Sequence, residues 1–561
     1  MTQLEKRSNH SPKALVIVLG ISMLFVGICG ISYEYTFSRL ASDIMGNSVK
    51  QWAIIIGLMM LFMGIGADLQ KYFPDKYNVD NFIILEILLG LMGGIGPSIT
   101  LYAFGSLHAH FIIIHYFFIC SIGLMIGLEI PLLSRINEIT VPSLKHNLGM
   151  ILKMDYIGSF IGALVWVFIL PRFFNMLEIS IFLGIINVCV AIFTWLWFKN
   201  WMQHPKMVFM LAILVLATLI IGLVNGKKVT LTAEQKLYND PIVFTKTTPY
   251  QRIVITKSHS DDVYLYINGH FQFASIDEHI YHEFLVHPLM AAAQNRKRVL
   301  VLGGGDGMAV REILKYSDVE SITLVDIDPE MTTLASTHPE LVRMNQGSLQ
   351  SGKIRVLDAA GVTEGEEFRL EQYGQGFFRK DRVDDDIKVH VFNLDAYKFI
   401  ESIPGLYDII IIDFPDPNSL ELAKLFSLEF YAKLKKRLAF NGLLVQQSST
   451  PALAKEVFLT IGRTMEAAGY SASPIHHLVP SFGDWGWWIA GHKERFGKNG
   501  LRQQIEKGAD LPEDVKYITR ELTNSSFYFG KNSLTTENKD INTVLNKRIY
   551  EYYLQEMKKL R

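Results

Sequence analysis

The pattern of apolar and polar positions divides the chain into two parts that meet near residue 226. Before that point, long apolar runs are separated by short polar stretches. A helix needs about 17–25 apolar residues to cross roughly 30 Å of hydrocarbon. The first part therefore predicts a membrane bundle of about seven helices, over residues 14–33, 52–69, 81–105, 110–131, 151–171, 177–198 and 207–225. Six further spans and the lack of a small-residue cleavage site argue against a signal peptide in the first run.

Small and acidic residues within the spans carry further information. Gly123 and Gly127, like Gly158 and Gly162, are four residues apart, a spacing that lets helices in lipid approach closely. Acids facing lipid are costly, so we expect four of them to face the bundle interior or an interface. These acids are Glu34, Glu86, Glu129 and Asp155. They either line a path or pocket for a cation or lie at span ends, against headgroups or a neighbouring helix.

The second part has the pattern of an α/β protein. Period-two alternation in QRIVITKS and DDVYLYINGHFQFAS predicts small antiparallel hairpins. Short apolar strands then alternate with helical stretches, which predicts a parallel sheet with helices on both faces. We predict a helical membrane domain (1–226), a small β domain (227–290), an α/β domain (291–504) with a charged, glycine-rich insertion (348–386), and a polar extension (505–561).

Composition excludes several classes of protein. The formal net charge is −1 over 561 residues, which gives no support to nucleic-acid binding. An apolar content of 49% is too high for a disordered chain. Cys29, Cys120 and Cys189 all lie in apolar stretches and form no CxxC pair, so neither a disulfide framework nor a cysteine metal site is expected.

A glycine turn with an internal acid follows the strand RVLVL. Gly303, Gly304, Gly305 and Gly307 suit the tight turns that dinucleotide enzymes and methyltransferases place against a ligand, and Asp306 lies among them. A carboxylate there repels a pyrophosphate and attracts an ammonium group, which favours a positively charged nucleoside over a dinucleotide. The alternative is a purely structural turn.

Further acids end the later strands. Asp326 lies where an acid typically binds a ribose. Asp395-Ala396 closes another strand, and we prefer it to Asp358-Ala359 because a helical stretch and then a buried strand follow it. Asp413 and Asp416 follow the strand YDIIIID, where one carboxylate can accept the proton of an attacking amine and the other can hold a second ammonium. Alternatively, the prolines of DFPDP fix a turn whose acids are merely solvated.

Taken together, these residues resemble the spermidine synthase (polyamine aminopropyltransferase) family. The resemblance covers about residues 240–495, and the first part resembles the multi-span extension of membrane-bound bacterial members. It implies a class I methyltransferase-like Rossmann domain preceded by a small β domain. The motifs that carry it, in order, are YQRIVI, DDVYLYINGHFQFASIDEHIYHEFLVHP, VLVLGGGDGMAVREILKY, ITLVDID, NLDA, YDIIIIDFPDP and LFSLEFY.

The resemblance implies substrates and residue roles. Decarboxylated S-adenosylmethionine would donate an aminopropyl group to an amine such as putrescine, giving spermidine and methylthioadenosine, with no metal and no cofactor. Asp413 would accept the proton. The residues that would hold the nucleoside are Gln251, Asp326, Asp395 and Ala396, and those on the amine side are Asp306, His282 and Asp416, with Gln272 and Tyr281 in matching motifs. Structurally, His282 could instead be a satisfied buried histidine and Tyr281 a core residue.

Three features depart from soluble members of this family. Asp326 stands where many have Glu, which keeps the carboxylate. The loop after Asp416 reads Pro417-Asn418-Ser419-Leu420 and lacks the usual glycine, which leaves the preferred amine open. The 348–386 insertion is long enough to cover the site.

Two other functions remain open from the sequence, as does the orientation in the membrane. One is a methyltransferase that uses intact S-adenosylmethionine, and the other is a polyamine transporter or sensor with a non-catalytic Rossmann-like domain. Expected partners are the lipid bilayer and the two substrates, with a homo-oligomer as a further candidate. Lys and Arg in the loops favour an external catalytic domain. The cytosolic origin of the donor favours a cytoplasmic domain at the inner membrane, and we predict the latter.

Overall fold

A computed structural model describes residues 12–45, 48–107, 110–138, 143–350, 354–358, 389–403, 405–497, 499–508 and 510–559. The chain forms two compact units, Met1–Pro241 and Ile242–Arg561. The division differs from the predicted boundary at residue 226, because the helix Gly226–Gln235 packs on helices of the first unit.

The first unit consists of helices. They are α1 (Pro12–Met45), α2 (Ser48–Leu69), α3 (Asn78–Ser106), α4 (Phe111–Asn137), α5 (Leu144–Phe168), α6 (Met176–Phe198), α7 (Pro205–Val224) and α8 (Gly226–Gln235), with 3₁₀ turns at Gln70–Tyr72, Asp75–Tyr77, Leu170–Arg172 and Lys199–Trp201. Within the described residues, seven of these helices are long and apolar enough to cross a membrane. The prediction of seven apolar helices is confirmed.

The helices pack in close pairs, α1 on α5, α2 on α4 and α3 on α6. At all four of the predicted glycines, a Cβ atom would collide with the backbone of the neighbouring helix, most closely at Gly127 and Gly158. Gly127 lies against the carbonyl of Met63, and Gly158 against that of Leu24. The glycine spacing thus serves close helix contact, as predicted.

The acids of the first unit differ in burial. Glu86 and Glu129 are buried within the bundle, and Asn187 Nδ2 donates to Glu86 Oε2 over 2.7 Å. Glu34 and Asp155 are half-buried. The expected interior position therefore holds fully for Glu86 and Glu129, which lie well inside α3 and α4.

The second unit begins with a four-stranded antiparallel sheet. Its strands, in spatial order, are β1 (Ile242–Thr247), β2 (Arg252–Lys257), β3 (Val263–Ile267) and β4 (His270–Ala274). The next helix, α9 (Glu278–Ala292), is buried along almost its whole length in the core of the larger sheet. The small β domain predicted over 227–290 thus reduces to these four strands.

The larger sheet has eight strands. They are β5 (Arg298–Gly303), β6 (Ser321–Asp326), β7 (Ile354–Asp358), β8 (Val389–Asn393), β9 (Tyr407–Asp413), β10 (Leu438–Gln447), β11 (Tyr470–Val479) and β12 (Gly483–His492), in the order β11-β12-β10-β9-β5-β6-β8-β7. Strands β5 to β10 run parallel, and β12 pairs antiparallel with β10 and β11. The connections reverse direction between β5 and β9, the position where open α/β sheets bind ligands. The predicted Rossmann-like fold is confirmed.

Helices cover both faces of this sheet. They are α10 (Met308–Ile313), α11 (Pro329–Thr337), α12 (Pro339–Met344), α13 (Ala396–Ser402), α14 (Leu420–Ala423), α15 (Leu428–Lys435), α16 (Lys455–Ala467), α17 (Lys493–Phe496), α18 (Gly500–Glu506), α19 (Arg520–Ser525) and α20 (Arg548–Lys558), with a 3₁₀ turn at Lys424–Phe426. Alternate residues of the central strands point to two apolar clusters, one on each face.

Two segments differ from the simple expectation. Strand β7 lies inside the predicted insertion, pairs parallel with β8 and forms the sheet edge, while residues 359–388 lie outside the described residues. The polar extension is part of the unit's core, since Ile549 and Tyr550 are buried in the cluster under β9 and β10.

Candidate active site

The candidate site lies at the carboxyl ends of β5, β6 and β9. The sheet register pairs Gly303, at the end of β5, with Asp413, at the end of β9. Gly303 has a φ of +79°, and a Cβ atom there would collide with the carbonyl oxygen of Asp413. The glycine turn and the predicted base are therefore held side by side by sheet hydrogen bonds.

Asp413 lies at the centre of a cluster of ionisable groups. The Tyr281 hydroxyl donates to Asp413 Oδ1 over 2.6 Å. One side-chain atom each of His282, Asp306 and Asp413 lie within 4.8 Å of one another. Burial raises the pKa of Asp413 and Asp306 adds to the rise, while His282 and Tyr281 lower it, which leaves the pKa at about 6. Asp413 is thus ionised at neutral pH but close to a pH at which it accepts a proton.

His282 is buried on α9 and is held as a cation. Its Nδ1 lies 2.8 Å from both the carbonyl oxygen and the carboxylate Oε2 of Glu278, one turn earlier. Burial alone would lower the pKa of His282, but Glu278, with help from Asp306 and Asp413, raises it to about 9. The imidazolium places a positive charge beside Asp413.

A buried ion-pair network supports His282, and the sequence did not reveal it. Arg311 on α10 binds Glu278 with two nitrogens, over 2.8 and 3.0 Å. Burial raises the pKa of Glu278, but His282 and Arg311 outweigh it and lower the pKa to about 2. Arg311 also binds Glu312, which in turn contacts His287. In the sequence, only the i,i+4 spacing of Glu278 and His282 on one helix could have indicated this network.

Asp306 lies in the glycine turn, as predicted. Its Oδ1 accepts the N–H of Met308 over 2.8 Å at the start of α10. One of its carboxylate oxygens also lies within 4.8 Å of a side-chain atom of His282 and of Asp413. The side chain therefore both shapes the turn and adds negative charge to the cluster.

Asp416 is held by donors from later parts of the chain. Ser449 Oγ donates to Oδ2 over 3.1 Å, and Gln447 Nε2 donates to Oδ1 over 3.4 Å. Burial raises the pKa of Asp416 to about 6, and these hydrogen-bond donors oppose the rise. Ser449 has a φ of +64°, an unusual conformation for a residue with a side chain.

Asp326 and Gln251 lie on the other side of the glycine turn. Asp326 accepts the N–H of Gly305 over 3.0 Å and that of Asp328 over 2.9 Å. Burial raises its pKa to about 6 despite these bonds. Gln251 precedes β2, and its backbone N–H donates to Thr248 Oγ1 over 3.0 Å, while the Thr248 hydroxyl donates to Asp328 Oδ2 over 2.9 Å. The small sheet thus brings Gln251 next to the end of β6.

Asp395 begins the helix that the sequence predicted after β8. Its Oδ1 accepts the N–H groups of Tyr397 and Lys398, and its Oδ2 pairs with Lys424 over 2.8 Å. Burial raises the pKa of Asp395, but Lys424 and the backbone donors lower it below the usual value. Ala396 is buried directly after it. Asp395 is therefore also a helix cap, a role that was not predicted.

Gln272 is a predicted site residue whose hydrogen bonds do not connect it to the other predicted site residues. It lies on β4, and its Nε2 donates to the carbonyls of His270 and Phe271 over 3.1 and 3.2 Å. Among the described residues, these hydrogen bonds stay within its own hairpin.

The cluster suits an organic cation. Asp306, Asp413 and Asp416 supply negative charge at one sheet edge, and burial strengthens their attraction for an ammonium group. His282, Asp306 and Asp413 are close enough together to hold a metal ion, and no other group of three such ligands occurs in the described part of the chain. His282 Nδ1 already contacts Glu278, which leaves the other ring nitrogen for a ligand.

The chain is similar to known proteins over most of its length. The family model for the spermine/spermidine synthase domain matches residues 278–359 and 372–499. The polyamine aminopropyltransferase of Leptospira interrogans is 33% identical over 97% of this chain and 99% of its own. That of Oceanobacillus iheyensis is 33% identical over 90% of each chain. A crystal structure of spermidine synthase from Thermotoga maritima matches 52% of this chain and 87% of its own, at 22% identity and a TM-score of 0.40.

The similarity extends over both units, because the Leptospira relative aligns with nearly the whole chain. A second relative, from Aquifex aeolicus, is 31% identical over 95% of this chain and 98% of its own. The chain accordingly belongs to the polyamine aminopropyltransferase family and is an aminopropyl-transferring enzyme.

Proposed function

We propose that this enzyme transfers the aminopropyl group of decarboxylated S-adenosylmethionine to an amine such as putrescine, giving spermidine and methylthioadenosine. The observation that carries the proposal is the pairing of Asp413, flanked by Tyr281 and His282, with the glycine turn on the neighbouring strand. The base and the nucleoside-binding turn are thus adjacent.

The reaction proceeds by direct displacement. The attacking ammonium loses a proton to Asp413, and the freed nitrogen lone pair attacks the aminopropyl carbon attached to sulfur. A carbon–nitrogen bond forms, the carbon–sulfur bond breaks, and its electron pair returns to sulfur. Neutral methylthioadenosine leaves, and Asp413 releases its proton to solvent. The enzyme contributes alignment and proton acceptance.

Asp306 and Asp416 divide the recognition of positive charge between them. Asp306 lies in the turn and faces the ammonium end of the donor's aminopropyl group. The carboxylate of intact S-adenosylmethionine would enter the same place and be repelled, which selects the decarboxylated donor. Asp416 holds the distal ammonium of the diamine.

The nucleoside occupies the other side of the turn. Asp326 takes the ribose hydroxyls, Gln251 reaches the same region from the small sheet, and Asp395 with Ala396 contacts the adenine. Their support is their position around the ends of β6 and β8, where the end of β6 and the glycine turn share hydrogen bonds. Gln272 contacts substrate only if its amide leaves the carbonyls of its own hairpin.

One incubation separates this function from its alternatives. Purified enzyme is mixed with putrescine and either decarboxylated or intact S-adenosylmethionine, and the nucleoside products are measured. Methylthioadenosine from the decarboxylated donor supports the proposal. S-adenosylhomocysteine from intact donor indicates a methyltransferase, and polyamine binding with neither product indicates a transporter or sensor.

One variant and one chelation experiment connect the reaction to the site. Asp413→Asn keeps the shape but removes the base, so turnover should fall by about 10²–10⁴ with affinity for methylthioadenosine nearly unchanged. Chelation with EDTA should leave the wild-type rate unchanged, because a thioether leaving group needs no Lewis acid.

The seven apolar helices anchor the enzyme in the bacterial inner membrane, with the catalytic unit in the cytoplasm. The length and composition of the helices support the membrane anchoring. The expected cytosolic supply of the donor supports the cytoplasmic orientation, whereas the Lys and Arg residues of the loops favour the opposite orientation. An alkaline phosphatase fused after residue 561 should be inactive, because this reporter needs export, and strong phosphatase activity would overturn the orientation.

A further inference from the structure

The chain at the end of β10 contacts the loop that carries Asp416. Gln447, Ser448 and Ser449 lie there, and all three are buried. Gln447 Nε2 donates to the carbonyl of Phe414 over 2.5 Å and to Asp416 Oδ1 over 3.4 Å. Ser449 Oγ donates to Asp416 Oδ2 over 3.1 Å. Each oxygen of the Asp416 carboxylate thus has a side-chain donor from this part of the chain.

Ser449 contacts Asp416 from a backbone conformation that serine rarely adopts. Its φ of +64° lies in the left-handed region, which glycine adopts readily. In the described part of the chain six residues other than glycine have a positive φ, and Ser449 is the one among them that is fully buried. The surrounding structure therefore imposes this conformation, at a cost that a glycine would avoid.

Backbone hydrogen bonds hold Ser449 in this conformation. The N–H of Gly486 on β12 donates to the carbonyl of Ser449, and the N–H of Ser448 donates to the carbonyl of Gly486, each over 2.9 Å. The N–H of Ser449 donates to Gln447 Oε1 over 3.0 Å. Both backbone polar groups of Ser449 are therefore engaged, which fixes the direction in which its side chain leaves the backbone.

We infer that Ser449 is a positioning residue of the amine site, whose hydroxyl orients the Asp416 carboxylate towards the distal ammonium of the amine. The inference rests on the amine-side role proposed for Asp416. A glycine would form the same turn without strain, so the presence of serine points to a use for its hydroxyl. Hydrogen bonds to a carboxylate are strong and directional, and loss of this one leaves Asp416 freer to turn. Because Asp416 holds the end of the amine that does not react, the KM for the amine should depend on Ser449 more than kcat does.

Three variants of the full-length enzyme separate the hydroxyl from the backbone. Ser449→Gly removes the hydroxyl and relieves the strain, whereas Ser449→Ala removes the hydroxyl and keeps the strain. Ser448→Ala is the matched control, because Ser448 is equally buried and its hydroxyl donates to the carbonyl of Gln446 over 2.9 Å. For each variant we measure thermal unfolding, kcat, and the KM values for putrescine and decarboxylated S-adenosylmethionine.

Both Ser449 variants should raise the KM for putrescine about tenfold, because each loses a hydrogen bond to a charged group, and should change kcat and the donor KM less than about threefold. Ser449→Gly should unfold at a higher temperature than Ser449→Ala, since glycine fits a positive φ. Ser448→Ala should keep the wild-type KM for putrescine. Ser449→Gly combined with Asp416→Asn should raise this KM no further than Asp416→Asn alone, because the hydroxyl acts through that carboxylate.

Three results would overturn the inference. They are an unchanged putrescine KM in both Ser449 variants, equal changes of kcat and of both KM values in Ser449→Gly, and an effect of Ser449→Gly that adds fully to that of Asp416→Asn. Asp416→Asn alone distinguishes this failure from a failure of the proposed amine site. If Asp416→Asn raises the putrescine KM while the Ser449 variants do not, the amine site stands and Ser449 is outside it. If Asp416→Asn leaves that KM unchanged while methylthioadenosine still forms, the proposed role of Asp416 is wrong and the inference fails with it.

Discussion

At the scale of single residues, Asp413 is governed by opposing influences. Burial and Asp306 favour its protonated form, while His282 and the hydroxyl of Tyr281 favour the carboxylate. The result is a carboxyl group whose pKa lies near 6, above that of an ordinary aspartate but below neutral pH. This balance suits the proposed role of Asp413, because the group is ionised at neutral pH and can accept a proton from the amine.

The pH dependence of the rate follows from this balance. The value of kcat/KM for putrescine should fall as pH decreases through about 6, because protonated Asp413 can accept nothing. In His282→Asn the lost positive charge should raise the pKa of Asp413 and move this limb to higher pH. His279→Asn on the same helix is the control. If the acidic limb of the kcat/KM profile lies at the same pH in His282→Asn and in the wild type, the electrostatic role of His282 is wrong.

Asp306 in the glycine turn and Asp326 at the end of β6 should differ in which ligands depend on them. Asp306→Asn should weaken the decarboxylated donor by about 10-fold or more and methylthioadenosine much less, since only the donor carries an ammonium. Asp326→Ala should weaken both, because both carry the ribose. Calorimetric titration of each variant with each ligand measures this. If Asp306→Asn weakens the affinity for both ligands equally, the role of Asp306 is limited to its hydrogen bond with the N–H of Met308 at the start of α10.

Site residues at the ends of strands could be predicted from the sequence, whereas the residues that hold them in place could not. Asp306, Asp326 and Asp413 could be predicted because each follows an apolar strand or a glycine turn. Glu278 and Arg311 could not, since their pairing joins α9 to α10 and depends on burial that no local pattern encodes. Ile549 and Tyr550 lie in a polar tail without a motif, and only tertiary packing shows that they are buried against the sheet.

At the scale of elements, the turn after β5 depends on close contact with β9. Gly303 and Gly483 both have a φ of +79°, but a Cβ atom on Gly483 would meet nothing within 4 Å. Both alanine variants should therefore lose about 1–2 kcal/mol of stability for the left-handed backbone. Gly303→Ala should also lose most activity, because its Cβ displaces the Asp413 backbone. Thermal unfolding and turnover of the two variants test this, and equal activity in both would refute it.

Elements were predictable where the pattern was long and regular. The seven apolar helices and the alternating strands and helices of the second unit are present as predicted. The unit boundary was misplaced because α8 has a polar sequence, GKKVTLTAEQ, and still packs on the first unit. Its attachment depends on contacts with α3 and α7, which lie far away in the sequence.

At the scale of the whole molecule, all candidate catalytic residues lie in one unit with its own cores. A fragment of residues 242–561 should therefore fold cooperatively and retain aminopropyl transfer. Circular dichroism and methylthioadenosine formation check this, with the Asp413→Asn fragment as the inactive control. A folded but inactive fragment would show that the first unit, or assembly through it, completes the site.

The pairing of Gly303 with Asp413 also bears on which group is transferred. A sulfonium carries three carbon–sulfur bonds that a nucleophile can break, and the methyl carbon is the least hindered, so transfer of another group depends on the line along which the nucleophile approaches. Here the glycine turn and the proposed base stand at the ends of adjacent strands, and their separation is fixed by backbone hydrogen bonds. A slip of one residue would turn Asp413 to the opposite face of the sheet. Under the proposed mechanism, strand register therefore contributes to the choice of the bond that breaks, and the surrounding loops can change the amine without changing that bond.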